Sequence, residues 1–377
     1  MYWRYDRKWS NKAMDADSAT TRLEMNKAGL CTTMIIKMKA TLISAQATGT
    51  GNYRLIDFVD KIELIADGHK PIISLEPEQI QAFDFYNNGK LPLDRIRAYS
   101  DRGQTMYLYI DFGRYFKDKE YGLDYSKFDS VDLEITTSGS STTMTNFTAD
   151  VDNILLEDAP AGQFKGYLKK DLWRKWTTVS DEWQYLSLPT ENIIRKIMLQ
   201  ARPPMSSGQF TTSMMNMMHD IELKFKGGSL IPFDQDLATL LRLNALEFGL
   251  VRDGGQSYRT SGNPVRSGVG RALRHNATLD NLGGAAITDG WITVEDSNEA
   301  TPKIWYSQSG SDAGVWHESI GYGLHHTAVF NFDEGTSPDQ WLDPELQKPI
   351  DLNIHTRSGA NYEGGTNYVV LETLVKY

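Results

Sequence analysis

Histidine, cysteine and paired carboxylates carry most metal and acid–base chemistry, and this sequence offers few of them at useful spacing. The histidines that lie nearest to one another in the sequence are His317, His325 and His326. No cysteine or carboxylate stands at ligand spacing from them, and adjacent residues on a strand point to opposite faces, so a zinc site is not indicated. We interpret them as surface or interface histidines. The single cysteine, Cys31, lacks a recognisable catalytic partner and cannot form an intramolecular disulfide.

Two further patterns fall short of a functional site. Gly268-Val269-Gly270 follows no predicted strand, so it does not fit a dinucleotide-binding loop. Asp132 and Glu134 alternate with apolar residues, which is typical of a solvated or subunit-facing strand rather than an acid–base pair. We therefore predict no catalytic, cofactor-binding or metal-binding residues, no cofactor, and a protein that is not an enzyme.

The elements around these residues are duplicated. An Ile-Glu-Leu triplet occurs at residues 62–64 and again at 221–223. A glycine-containing turn, a short apolar run, a helix-like stretch and a closing glycine follow each copy. The stretch from Ile62 to Gly89 and the stretch from Ile221 to Gly249 agree in length to within a single position. A fixed order at preserved spacing indicates an internal repeat.

A second pair of segments strengthens this conclusion. The stretch from Ile110 to Asp132 and the stretch from Phe330 to Asp351 again agree in length to within a single position. The repeats differ between the two matched blocks, because the stretch from Gly249 to Phe330 is several times longer than that from Gly89 to Ile110. The second repeat therefore carries an insertion, rich in glycine, serine and asparagine, at about residues 250–326.

Apolar and polar residues alternate in the matched segments, as in antiparallel strands with one buried face. The predicted core positions are Ile62, Leu64, Leu133 and Ile135 in the first repeat and Ile221, Leu223, Leu352 and Ile354 in the second. Each repeat also has one helix, which begins near Pro77 or Asp236 and ends at Gly89 or Gly249. Leu237, Leu240, Leu241, Ala245 and Phe248 form an apolar stripe on the second helix.

Eight short strands are predicted in each repeat. The candidates lie near residues 20–26, 32–44, 55–66, 70–75, 93–99, 105–113, 130–138 and 146–157, and near residues 183–188, 192–202, 217–226, 228–233, 290–295, 327–333, 350–356 and 366–376. Such sets suggest an all-β chain of two tandem antiparallel jelly rolls, each with a flanking helix. We expect an N-terminal arm at 1–19, a first barrel at 20–160, a connector at 161–180 and a second barrel at 181–377.

The composition fits two well-packed domains. The chain has 377 residues, of which 40% are hydrophobic and 23% charged, and its net charge is −10. This charge argues against a general nucleic-acid-binding face. No apolar run long enough to cross a membrane and no apolar signal-peptide core are present, so neither a membrane span nor export is predicted.

This architecture resembles the double jelly-roll major capsid proteins, which build the shells of tailless icosahedral viruses such as tectivirus-like phages, adenoviruses and relatives infecting archaea. The resemblance covers about residues 20–377 and rests on architecture, since that family has no short diagnostic motif. The Ile-Glu-Leu segment with its helix, and the segment FGR…YGLDYSKF…VDLEIT at residues 112–136, are most similar to the bacterial-virus members.

The resemblance implies a structural protein of the virion, made and assembled in the host cytoplasm. Its partners would be two further copies in a pseudo-hexagonal trimer, neighbouring capsomers, and penton and minor capsid proteins, with no sequence-specific nucleic acid. The alternative is a carbohydrate-binding or glycan-hydrolysing jelly-roll protein, since Trp291, Trp305 and Trp316 of the insertion could stack on sugar rings. The lack of a recognisable carboxylate pair and of an export signal favours the structural interpretation.

Two segments are assigned to the outside of the barrels. The N-terminal arm interleaves aromatic residues with cations, namely Tyr2, Trp3, Tyr5 and Trp9 with Arg4, Arg7, Lys8 and Lys12. This composition suits either an anionic membrane inside the shell or an acidic neighbouring subunit. The insertion, with arginines at 252, 259, 266, 271 and 274, is predicted to decorate the outer surface, and its arginines could bind an anionic surface.

Overall fold

The computed structural model describes most of the chain. The described residues are 1–15, 17–42, 55–94, 102–138, 144–202, 214–259, 266–268, 276–278, 290–293, 300–307, 313–333, 337–359 and 363–377. From 253 to 320 the description covers only the backbone of the strands. Among these residues no helix combines the length and apolar composition that crossing a bilayer requires.

The first half is built from antiparallel strands. They are β1 (Tyr2–Ala13), β2 (Ala19–Glu24), β3 (Leu30–Leu42), β4 (Val59–Ala66), β5 (Lys70–Leu75), β6 (Arg102–Asp111), β7 (Leu123–Asp124), β8 (Val131–Thr137) and β9 (Met144–Glu157). One sheet has the order β1-β9-β3-β6, with β7 paired to β3. The facing strands follow the order β2-β8-β4-β5.

The second half repeats this order. Its strands are β10 (Gly166–Thr177), β11 (Trp183–Ser187), β12 (Ile193–Arg202), β13 (Asp220–Phe225), β14 (Leu230–Asp236), β21 (Thr327–Asn331), β22 (Ile350–His355) and β23 (Thr366–Lys376). They form the orders β10-β23-β12-β21 and β11-β22-β13-β14. The duplication detected in the sequence is therefore present in the strand pairing.

The insertion folds as strands of its own. These are β15 (Val251–Arg259), β16 (Arg266–Gly268), β17 (Asn276–Thr278), β18 (Gly290–Thr293), β19 (Ala300–Ser307) and β20 (Ala313–Gly321). They make a sheet of order β15-β20-β19-β18 and a separate hairpin of β16 with β17. The predicted strand at 290–295 is thus β18, and it belongs to this extra sheet rather than to a barrel.

Two of the four described helices matter most for the fold. The helices are α1 (Pro77–Asn88), α2 (Met214–Met217), α3 (Leu237–Phe248) and α4 (Pro344–Gln347). The Asp236 side chain accepts a hydrogen bond from Thr239 N at the start of α3. Gly89 ends α1 with a φ of 64° and Gly249 ends α3 with a φ of 82°, conformations that glycine adopts without steric cost. The predicted helix ends are confirmed.

The predicted core positions are confirmed. All eight are at most 1% exposed, and the four of each repeat fall into separate hydrophobic clusters. The first cluster also includes Met198, Val329 and Val370 from the second half, so the two halves pack against each other through apolar contact. Leucine and isoleucine at alternate positions are thus sufficient to mark the inside of both sheets.

One sheet runs through both halves. The strands of the first half end at β5, which pairs in parallel with β10 at Ile73–Lys170 and Ser74–Asp171. β10 pairs on its other side with β23, giving the continuous order β2-β8-β4-β5-β10-β23-β12-β21. This parallel ladder is the only one among the strands that the structure describes, and it joins the two repeats.

The structure corrects two sequence boundaries. Residues 1–19 are not a free arm, because β1 pairs with β9 from Tyr2–Glu157 to Ala13–Thr148 and closes one sheet. Residues 161–180 are not only a connector, because β10 pairs with β23 along its whole length. The alternation of a half-buried strand is weak in both segments, since β1 is mostly exposed and β10 lies at the junction, which is why they were not recognised as strands.

β1 and β10 are counterparts. Asp6 pairs with Asn153 in the first repeat, and Asp171 pairs with Leu371 in the second. In both strands a tyrosine, Tyr2 or Tyr167, precedes the aspartate at the same spacing, and several lysines or arginines lie near the aspartate. They replace the predicted strands at 93–99 and 290–295 in the strand order of each repeat. Residues 93 and 94 belong to no strand, and residues 95–99 lie outside the described part of the chain.

Candidate assembly surface and the junction between the repeats

The residues considered for chemistry are dispersed. No group of three or more histidine, cysteine, aspartate or glutamate residues could hold a metal ion in the part of the chain that the structure describes. Cys31 is fully buried, and this burial raises the pKa of its thiol to about 12, so the reactive thiolate is suppressed. Of the glycine pattern, Gly268 ends β16, and residues 269 and 270 lie outside the described residues.

The histidines are placed differently from the prediction. His325 and His326 lie in a bend before β21, both with positive φ, and both are buried rather than on a surface strand. Nε2 of His325 lies 2.8 Å from Oε1 of Gln81 on α1. This contact lies inside the chain and joins α1 of the first repeat to the bend before β21 of the second. The side chain of His317 falls outside the described residues.

The carboxylates of β8 do not form an acid–base pair. Asp132 is only 3% exposed and lies 2.6 Å from Nη2 of Arg22 on β2. Glu134 is half-buried, and its nearest contact with Arg22 is 3.9 Å. Both carboxylates are therefore used in pairing β2 with β8 rather than pointing freely outward as predicted.

A buried cluster of charges lies at the junction of the two repeats, and the sequence analysis missed it. The fully buried Glu372 of β23 accepts a hydrogen bond from Arg195 Nη1 at 2.9 Å and lies 3.2 Å from Lys170 Nζ. The Arg195 guanidinium also contacts Asp333 at 2.7 Å. The sequence did contain an indication of this cluster. Charged residues interrupt two otherwise apolar strands, in IIRKIML at 193–199 and VVLETLV at 369–375.

The cluster reaches across the junction. Arg195 donates to the Arg114 carbonyl at 2.7 Å and to Asn87 Oδ1 at the end of α1. Lys170 donates to the Asp111 carbonyl of β6. Three cations of the second repeat thus face Glu372, and two of them also hold backbone or amide groups of the first. These hydrogen bonds link the two repeats, and separating the repeats would break them.

Titration of this cluster follows from its surroundings. Burial by itself favours the neutral acid, but Lys170, Arg195 and Lys196 hold the pKa of Glu372 down at about 2. Burial lowers the pKa of Lys196 to about 7, and the charge of Arg195 acts in the same direction. These opposed effects keep Glu372 ionised at neutral pH, so the cluster acts as a buried ion pair network at the junction.

Helix α1 forms the second part of the junction. Tyr86 Oη donates to the Thr327 carbonyl at 2.9 Å, and Gln79 Nε2 donates to Gln200 Oε1 at 3.1 Å. Arg202 binds Glu76 and lies 2.8 Å from Glu78, so the N-terminal end of α1 is held by β12. A groove of about 610 Å³ with a mixed polar and apolar lining opens beside these residues, lined among others by Lys61, Lys175 and Tyr368.

The basic and aromatic residues of β1 divide between two surroundings. Trp9 is buried in the first core, whereas Tyr2 and Tyr5 are 56% and 61% exposed. Arg4 and Arg7 bind the carboxylates of Glu157 and Asp152 on β9, at 2.6 and 2.7 Å. These pairs hold β1 in its sheet while one edge of the strand and two tyrosines remain open.

The insertion brings its tryptophans to matched positions. Their side chains, and those of the arginines beyond Arg252, lie outside the described residues. In the backbone, Trp305 of β19 pairs in register with Trp291 of β18 on one side and with Trp316 of β20 on the other. The three tryptophans considered for sugar binding are therefore placed side by side across three adjacent strands.

Comparison with solved structures identifies the fold. The major capsid protein of Sulfolobus turreted icosahedral virus aligns with 100% of this chain and 97% of its own, at 9% identity and a TM-score of 0.60. The capsid protein of PBCV-1 aligns with 99% of this chain and 93% of its own, at 9% identity and a TM-score of 0.55. The major capsid protein P2 of bacteriophage PM2 aligns over 100% and 98%, at 9% identity and a TM-score of 0.50.

These matches span both repeats and the junction between them. No protein-family model matches the sequence, and no curated protein matches it. At 9% identity the likeness is one of fold, and the chain therefore has the mostly β, double jelly-roll fold that these capsid proteins share.

Proposed function

We propose that this protein is the major capsid protein of an icosahedral virus, located in the virion shell and without enzymatic activity. The observation that supports this function is the end-to-end match of both repeats to viral major capsid proteins, with coverage of 97% and 98% of two of them. A match to one jelly-roll domain alone would say little about function, because proteins with many different functions contain a jelly roll. A pair of barrels that aligns from end to end is a more specific feature.

We further propose that each barrel has eight principal strands. They are β1–β6, β8 and β9 in the first barrel, and β10–β14 and β21–β23 in the second. The identical strand order in both halves supports this division. It moves the barrel boundaries to about residues 2–157 and 166–376, with a short connection between them. Three copies would place six barrels around a threefold axis as a pseudo-hexagonal capsomer.

The remaining surfaces are assigned to assembly. The insertion of β15–β20 has a separate sheet and would decorate the outer surface of the shell. The exposed tyrosines and cations of β1 suit an acidic neighbouring subunit or an anionic membrane. Neighbouring capsomers, penton proteins and minor capsid proteins are the expected partners, in a virus of the bacterial-virus type that assembles in the host cytoplasm.

Mass measurement and electron microscopy test this function. Each chain has a mass of 42.6 kDa, so light scattering after size exclusion should give a species of three times this mass. Negative-stain images of that species should show hexagonal outlines, and particles from infected cells should contain the chain as their main protein. A stable monomer at high concentration that is absent from particles would contradict the function; glycan binding by that monomer would favour the carbohydrate alternative.

A further inference from the structure

The sheet of the insertion has two faces of different composition. Directly paired residues of an antiparallel ladder share a face, and successive residues of one strand alternate between the two faces. The backbone registers of β15 with β20, β20 with β19 and β19 with β18 therefore assign each paired residue to one face.

One face carries an aromatic row. Trp305 of β19 pairs with Trp316 of β20 and with Trp291 of β18, and Trp316 pairs in turn with Gln256 of β15. This tryptophan row thus crosses all four strands in the order Gln256, Trp316, Trp305, Trp291. At a strand spacing of about 4.8 Å the row is about 14 Å long, which is long enough for more than one sugar ring.

Polar residues lie on the same face at both sides of the tryptophan row. At one side Glu318 pairs with Lys303, and Lys303 pairs with Thr293. At the other side Ser307 of β19 and Tyr258 of β15 occupy the corresponding positions. Groups that donate and accept hydrogen bonds therefore flank the aromatic row in both directions.

The opposite face is largely aliphatic at the same level. Ile292 pairs with Ile304, and Tyr306 pairs with Val315. In an amphipathic antiparallel sheet the aliphatic face is the one that packs on other parts of the protein, and the polar face is the open one. The alternation therefore favours the face with the tryptophan row as the open face of this sheet.

The tryptophan row is also distant from the root of the insertion. Val251, which pairs with Gly321, is fully buried and belongs to the core of the first repeat. At about 3.4 Å per residue, Gln256 lies about 17 Å further along β15. The row is thus placed well beyond the point at which the insertion leaves the core.

The chemistry of this face fits a neutral glycan. A sugar ring has apolar C–H faces that pack on aromatic rings, and its hydroxyl groups both donate and accept hydrogen bonds. Glu318 stands directly opposite Lys303, so the charges beside the row cancel, and a polyanionic ligand would meet a carboxylate. Because the row is extended, it suits a linear oligosaccharide better than a single sugar.

We propose that the tryptophan row binds a linear neutral oligosaccharide, with sugar rings on the tryptophans and hydroxyl groups bonded to the flanking polar residues. The site binds the glycan without cleaving it, and it gives the shell a means of attaching to a glycan-coated cell surface. This inference goes beyond the proposed capsid function, because building a shell does not require a glycan-binding site.

An array of neutral linear oligosaccharides tests the site with the full-length protein. Wild type should bind at least one of them, and titration with that oligosaccharide should change the tryptophan fluorescence. Trp305→Ala, at the centre of the row, should weaken binding at least about tenfold. Tyr306→Ala is the matched control, since Tyr306 is the next aromatic residue of β19 but lies on the opposite face, and its affinity should stay within about twofold of wild type.

A second pair of variants tests the site even where Trp305→Ala disturbs the sheet. Gln256 and Ser257 are neighbours on β15, an outer strand of the sheet, and they lie on opposite faces. Gln256→Ala should weaken binding about fivefold, because it removes one hydrogen-bonding amide from the end of the row. Ser257→Ala should bind like wild type.

The outcomes separate this site from the capsid function. Absence of binding to every neutral oligosaccharide, or equal losses in the variants of both faces, would overturn the site. A trimer that is found in particles and binds no glycan would overturn the site alone and leave the capsid function standing. A monomer that is absent from particles and binds the oligosaccharide through Trp305 would support the site and overturn the capsid function.

Discussion

The two hairpin–helix units of this protein have the same topology and opposite surroundings. β5 and α1 adjoin β10 and β12 of the second repeat, whereas β14 is the last described strand of its sheet and Leu243 and Leu246 of α3 are exposed. The exposed helix is also the more apolar one: α3 has five leucines in LATLLRLNALEF, and α1 has the polar sequence PEQIQAFDFYNN. Leu243 and Leu246 of α3 are thus exposed, whereas most of the more polar helix α1 is buried.

The largest expected effect concerns a feature that the two units share, namely a buried leucine at equivalent positions of β4 and β13. Leu64→Asp and Leu223→Asp each place an unpaired charge in a fully buried position of equivalent strands. Each should cost more than about 4 kcal/mol and abolish soluble protein, because the interior offers no partner for the carboxylate. Soluble yield at low temperature measures this effect. Normal yield from either variant would show that its hairpin does not form part of a core.

The next effect concerns the buried charge cluster around Glu372. The unit of β13, β14 and α3 has no such cluster among its described residues. Glu372→Gln removes the carboxylate shared by Lys170, Arg195 and Lys196, of which Arg195 keeps Asp333, and should cost about 3 kcal/mol at pH 7. Glu222→Gln on β13 is the control. Glu222 is half-buried beside Lys224, and its replacement should cost about 1 kcal/mol or less. Denaturant unfolding of both variants gives the comparison.

The same cluster predicts a pH dependence. The pKa of Glu372 lies at about 2 in the folded chain and at 4.5 ordinarily. Its stabilisation is therefore complete above pH 4.5 and is lost as the pH falls from about 4.5 towards 2. The difference in unfolding free energy between wild type and Glu372→Gln should shrink over this window. A difference that stays constant from pH 7 to pH 2.5 would rule out this titration.

A moderate effect separates the two helices directly. Tyr86→Phe removes the hydrogen bond to the buried Thr327 carbonyl and should cost about 1–3 kcal/mol. Leu246→Ala at the equivalent position of α3 should change the stability of the isolated chain by no more than about 0.5 kcal/mol. Unfolding in dilute solution, below the concentration of assembly, measures both. Similar losses in the two variants would mean that α3 is covered within the chain.

The smallest effect concerns the helix ends. Gly89 has the left-handed helical conformation, with φ 64° and ψ 20°, whereas Gly249 has φ 82° and ψ 173°, a region that only glycine occupies readily. No described atom lies within 4 Å of an added Cβ at either site, so backbone strain alone decides the cost. Gly249→Ala should be more destabilising than Gly89→Ala by about 1 kcal/mol. Equal melting temperatures would contradict this order.

Much of each barrel could be predicted because its signals are local. Alternation placed Ile62, Leu133, Ile221 and Leu352 in the cores, and glycines marked the ends of both helices. The edge strand β1 and the junction strand β10 were missed for the opposite reason. β1 is largely exposed and β10 is covered by distant strands, so neither has one wet face and one dry face along its length.

The sequence by itself determined the repeat, the interior faces of the strands and the two helices, since burial of alternate side chains is recorded in neighbouring residues. Only the tertiary structure decided that β10 continues the sheet of the first repeat, that Glu372 and Arg195 meet at the junction, and that α1 is covered while α3 is open. These features depend on contacts between residues far apart in the chain. A periodic pattern shows that a face must be covered, but it does not identify the element that covers it.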